Sequence, residues 1–170
     1  MLSDLYREIA NGIYFVSSQV QQYEARNNNV KVLAAGATKA RKFEHEEDVK
    51  SGAGWITSRR AALLLTNEKL VCGSWEIPIE SIKEAHLLRV KSMFAKAYVL
   101  KVTAESGHYQ FGLQYDPAWE KQTTLKLIVE DGKIKRSVIM SVVRILVWLY
   151  LIGLCVFSIW ISYKDIAFGN

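Results

Sequence analysis

Residues 145–163, ILVWLYLIGLCVFSIWISY, contain no charged side chain. At 1.5 Å per residue a helix over this run measures roughly 28 Å, close to the hydrocarbon thickness of a bilayer. A helix on the surface of a soluble domain needs a polar face, and this run has none. The flanking charges give it a direction. Lys133, Lys135, Arg136 and Arg144 precede the run, and only Lys164 follows it, beside Asp165. The cation excess predicts one crossing of the cell membrane with the N-terminal bulk in the cytoplasm. Apolar character begins at Val138 and is interrupted by Arg144, whose long side chain can snorkel to the headgroups. The four cations would border the membrane surface, where each Lys or Arg adds about 1 kcal/mol of attraction to anionic lipid. Residues 1–10 mix Asp4, Arg7 and Glu8 among apolar residues. They hold no secretory core, in line with a cytoplasmic domain.

Ahead of the tail the pattern changes to short alternating runs bounded by turn residues. Residues 61–66 (AALLLT) and 69–73 (KLVCG) flank Asn67-Glu68, a tight-turn pair. Residues 76–82 (EIPIESI) contain Pro78, which suits a sheet edge. Residues 83–90 and 97–104 read as strands, and Ser106-Gly107 as the hairpin turn before 108–113. Two weaker strands are expected at 30–35 and 39–46. Asp116 can cap a helix whose first position takes Pro117. Trp119, Thr123 and Leu127 recur on one face of that helix, and Gly132 can end it. The expected fold class is α+β, with about seven antiparallel strands closed by one helix.

Three stretches carry a family resemblance. Residues 63–71 (LLLTNEKLV) resemble a strand–turn–strand of the pleckstrin-homology-like superfamily, in its GRAM and bacterial PH-like members. Residues 75–82 (WEIPIESI) are similar to the step that follows, and 109–119 (YQFGLQYDPAW) to the last strand and the start of the closing helix. The resemblance spans about 30–132 and implies an antiparallel β-barrel or sandwich. The chain departs from phosphoinositide-binding members. Its basic residues 38–42 (TKARK) are followed at once by 44–48 (EHEED).

Leu2, Tyr6, Ile9, Ile13, Val16, Val20 and Tyr23 recur at spacings of 4 and 3, three heptads of an amphipathic helix. That stripe either pairs with a second copy or a partner helix, or packs on the chain's own domain or the membrane. The organisation expected is therefore 1–29 for this helix and its Asn-rich linker, 30–132 for the PH-like domain, and 133–170 for the basic juxtamembrane segment and the transmembrane helix.

The chain of 170 residues has 22 basic and 17 acidic side chains, a net charge of +5. This mild excess permits an anionic partner. No nucleic-acid-binding signature occurs, so no nucleic acid partner is expected. Cys72 and Cys155 read as free thiols, one in a strand and one in the apolar tail. The acidic run 44–48 holds one histidine, His45, with no second His or Cys at ligand spacing, so no metal is expected. No nucleotide loop or nucleophile elbow appears, and the expectation is a non-enzyme without cofactors. Binding is expected instead at a basic rim, Arg89, Lys91 and Lys96, around an apolar tip that includes Phe94. The function expected is a membrane-anchored interaction module that contacts proteins at the cytoplasmic face. The alternative is recognition of anionic lipid headgroups.

Overall fold

The computed structural model describes residues 2–27, 30–45, 50–51, 58–91, 96–132, 135–136, 142, 145–156 and 160. In chain order these form helices α1 (Leu2–Ile13) and α2 (Val16–Arg26), then strands β1 (Val32–Phe43), β2 (Lys50–Ser51), β3 (Arg59–Thr66), β4 (Lys69–Cys72) and β5 (Trp75–Pro78). A 3-10 turn at Ile79–Ser81 leads into β6 (Ile82–Lys91), β7 (Lys96–Ala104) and β8 (Gly107–Gln114). The one-turn helix α3 (Ala118–Lys121), β9 (Ile128–Asp131) and β10 (Lys135–Arg136) follow. The chain divides into two units. One is Met1–Val49 with Ala53–Ile134, and the other is Lys50–Gly52 with Lys135–Asn170, in which β2 and β10 pair in parallel.

The first unit is built on one curled, eight-stranded sheet in the order β5-β4-β3-β1-β8-β7-β6-β9, a half-barrel compatible with a PH-like fold. β1 joins two antiparallel meanders. Its N-terminal half pairs with β3 from Ala34 to Ala40, and its C-terminal half pairs with β8 from Thr38 to Phe43. Two short strands were expected here, separated at Gly36-Ala37-Thr38. One continuous strand is found. Small residues read as a loop in sequence, but here they let both faces of β1 be covered closely. A Cβ at Gly36 would already touch Leu113 and Trp119 at 3.7 Å.

Alternation sends one side chain in two to each face. Leu63 and Leu65 of β3 meet Leu70 of β4, Leu87 of β6, Leu100 of β7 and Phe111 of β8 in the principal core inside the curl. On the opposite face Ala37, Ala62, Leu64 and Val71 meet Val16, with Val20 and Tyr23 packed alongside. β3 is thus buried on both sides, which is why its sequence is a continuous apolar run. Where β1 runs past β8, the helices supply acceptors for its backbone. Ala37 N–H donates to Asn11 Oδ1 at 3.0 Å, and Val32 N–H donates to Glu24 Oε1 at 2.9 Å.

Three expectations need correction. The N-terminal heptads do not form one helix. The chain turns at Tyr14-Phe15, with Phe15 at φ 50°, so α2 packs on the sheet while α1 points its apolar residues elsewhere. The closing helix is only one turn long. Its Trp119 is fully buried, but Gln122 is extended, and its side-chain amide accepts from Leu125 N–H (2.8 Å) and donates to Leu125 C=O (3.0 Å). This side-chain pairing and the β-branched Thr123 and Thr124 favour extended chain over helix. The segment then becomes β9, which adds in parallel to β6 and gives eight strands in place of about seven.

In the second unit residues 145–156 are helical. Among the described residues no helix is long and apolar enough to cross a membrane. The expected span of 145–163 runs on through 157–159 and 161–163, which lie outside the described residues.

Leu63 is fully buried in the principal core. Leu63→Ala is expected to destabilise the fold by about 2–5 kcal/mol, read as a lower urea midpoint by tryptophan fluorescence. An unchanged midpoint would contradict the assigned core.

Candidate functional site

β6 and β7 form a long hairpin that overruns the core. On their inward face the residues are first apolar, Ala85 and Leu87 on β6 and Leu100 and Val102 on β7. Further out along the same face stand Arg89 and Lys91 on β6, opposite Tyr98 and Lys96 on β7. Strand alternation therefore aims these cations at the inside of the curl, and they escape burial because the core has ended.

α3 and β9 enclose the place where they gather. Trp119 anchors α3 in the core, and the next residue round the helix, Glu120, faces the hairpin. Arg89 Nε donates to Glu120 Oε1 at 2.9 Å, and its Nη2 to Oε2 at 2.8 Å, a bidentate pair. The Tyr98 hydroxyl also donates to Glu120 Oε1. On the other side, Asp131 of β9 is the register partner of Arg89. The Tyr115 ring lies 5.1 Å from Tyr98, and Lys96 Nζ sits 5.4 Å over the Tyr115 ring. A cavity of about 310 Å³, open on one side, lies among Arg89, Lys91, Lys96, Tyr115, Glu120 and Asp131.

The electrostatics follow from these contacts. Hydrogen bonds from the Arg89 guanidinium and then the Tyr98 hydroxyl hold the Glu120 carboxyl down to about 2. The same pair raises the Arg89 pKa. Burial, then the Glu120 carboxylate, pushes the Tyr98 phenol upward, so it stays a donor. Arg89 is thus committed to Glu120. The remaining cations, Lys91 and Lys96, face each other directly across the hairpin, an arrangement of like charges that costs stability in a sheet. Two facing lysines thus stand beside a self-neutralised ion pair.

Arg89, Lys91 and Lys96 line the same cavity, and Phe94 lies outside the described residues. So do Lys133 and Arg144, while Lys135 and Arg136 form β10 in the second unit. Glu120, Tyr98, Tyr115 and Asp131 escaped the sequence reading. The one local signal was Glu120 following a tryptophan in a helix start, which puts it a third of a turn from an anchored residue. The histidines do not meet. His86 on β6 contacts Glu84 at 2.7 Å and Glu130 at 3.4 Å, and His108 on β8 contacts Thr103 at 3.2 Å, with β7 between them. Cys72 is free, and burial pushes its thiol up to about 11, which keeps it an unreactive core residue. Glu44 and His45 are exposed, and 46–48 lie outside the described residues.

No protein-family model matches the chain, and no curated protein or solved structure matches it.

Glu120 is lower in the folded chain than its ordinary 4.5. A depressed carboxylate adds stability that is fully present above the unfolded value and fades as pH falls toward the folded value. Glu120→Gln is expected to lower the urea midpoint at pH 7, with the gap to the parent closing between about 4.5 and about 2. A gap that stays constant across that range would show that the ion pair adds no pH-dependent stability.

Proposed function

We propose that this protein is a non-catalytic, membrane-anchored module, in which the C-terminal tail holds a PH-like domain at the cytoplasmic face for contact with a protein partner. The observation that carries this reading is the helix 145–156. It contains no charged residue, and every residue in it is exposed. Water is a poor solvent for ten large apolar side chains on all sides of one helix, and lipid is a good one. The uncharged run continues to residue 163, long enough with the described helix to span a bilayer. The cation excess at Lys133, Lys135, Arg136 and Arg144 supports an orientation with the domain in the cytoplasm.

A protein partner is favoured over a headgroup because one of the three rim cations is already committed and carboxylates stand among the other two. Arg89 is held bidentately, and Glu120 and Asp131 share the cavity with the lysines. The full chain is expected to remain in the membrane pellet after alkaline carbonate extraction, and the chain truncated after residue 136 to be released. Release of the full chain would overturn the anchoring reading.

The facing lysines favour a second reading, in which Lys91 and Lys96 take an anionic lipid headgroup. The probe is glycerol phosphate, titrated calorimetrically into the detergent-solubilised chain. Saturable binding that is lost in Lys91→Glu/Lys96→Glu supports the headgroup reading. Absence of binding by the parent leaves the protein-contact reading alone.

A further inference from the structure

The curled sheet ends in two edges, and they are finished differently. β5 is guarded, since it closes on Pro78, which has no N–H to offer another strand. β9, at the other edge, carries no proline. It pairs in parallel with β6 from Ile128 to Asp131, and among the described residues no strand lies beyond it. A parallel strand is ordinarily covered on both faces. All four residues of β9 are exposed, Ile128 at 47% and Val129 at 37%. The strand is nonetheless held in place. Gly132 N–H donates to Arg89 C=O at 2.9 Å, and Gly132 runs so close to β6 that a Cβ on it would meet Leu88 Cβ at 2.9 Å. β9 is thus a fixed template with one side of its ladder unused.

We infer that β9 receives an extended segment of the partner protein, which adds to the sheet as a further strand, with adjacent basic residues beside Glu130 and Asp131 and β-branched residues beside Ile128 and Val129. This rests on the protein-contact reading and says where that contact is made and what the partner brings to it. The backbone selects the kind of occupant. A row of strand N–H and C=O groups is matched by another extended polypeptide, and neither a lipid surface nor a helix offers such a row.

The side chains then select among polypeptides. Val129 and Asp131 share the inward side with their register partners Leu87 and Arg89, and Ile128 and Glu130 share the outward side with His86 and Leu88. Each side of the edge therefore presents one apolar residue and one carboxylate. Neither carboxylate is matched by a cation of its own. Arg89 is held by Glu120, and His86 lies between Glu84 at 2.7 Å and Glu130 at 3.4 Å, one imidazole for two carboxylates. A second copy cannot supply the complement. Parallel pairing of two β9 strands would set Glu130 against Glu130 and Asp131 against Asp131, and like charges directly opposed destabilise a sheet. Antiparallel pairing over most of the strand would set the carboxylates against each other or against Ile128 and Val129. The acidic pair thus blocks self-association and leaves the edge open to a cationic strand.

The test uses the full chain, isotope-labelled and held in detergent micelles. It is titrated with the peptide acetyl-Thr-Val-Val-Lys-Lys-Val-Val-Thr-amide, whose symmetry suits either strand direction. Saturable shifts are expected at the amide resonances of residues 128–131 and none at β5. The same peptide with Glu-Glu at its centre is expected to give no shift. In the chain carrying Glu130→Lys and Asp131→Lys, the preference is expected to reverse, with the lysine peptide weakened by about tenfold and the glutamate peptide now bound. No saturable shift at 128–131 with the lysine peptide would overturn the edge site, as would binding that ignores the charge reversal. Shifts confined to another surface of the domain would also overturn it, while leaving the protein-contact reading standing. That reading is tested independently of β9 by the glycerol phosphate calorimetry at Lys91 and Lys96.

Discussion

Everything in the first unit hangs on the double pairing of β1. One strand supplies its N-terminal half to β3 and its C-terminal half to β8, and so makes two meanders into a single curled sheet. Curling brings the inward side chains of seven strands together into one core. The same strand is covered on its other face by α2, and its unpaired donors are satisfied by Asn11 and Glu24. A buried backbone donor without an acceptor is costly. The helices are therefore structural parts of the sheet, and this accounts for the polar inward face of α1.

The same constraint explains the two surfaces that lack a complete explanation within the chain. α1 uses its polar residues to complete the sheet, so its apolar residues are left outside. The β6–β7 hairpin must be long enough to pair with β8 and β9, and its far end overruns the core. Charged residues on the inward face are the consequence. Glu120 then neutralises Arg89, while Lys91 and Lys96 remain opposed.

Much of the sheet was legible in the sequence. The turn at Asn67-Glu68 and the edge position of Pro78 are where pattern and turn chemistry put them. So are the strands at 83–90 and 97–104. Local signals suffice for such features. The misreadings share one cause, which is tertiary context. The run 36–38 looks like a loop until it is seen covered on both faces. The stretch after Pro117 looks helical until Gln122 pairs with Leu125. The heptads look continuous until α2 finds the sheet. For the site, the cations were visible because they cluster in sequence, whereas Glu120 comes from 31 residues beyond Arg89 and could be placed only by the buried Trp119.

The central claim is that lipid, rather than water or a protein surface, surrounds the exposed apolar helix. Hydrogen–deuterium exchange of the full chain in vesicles reads this directly at the amides of residues 145–156. The account predicts strong protection there over hours, comparable to the core strands. Exchange within seconds, as for a frayed helix in water, would contradict it.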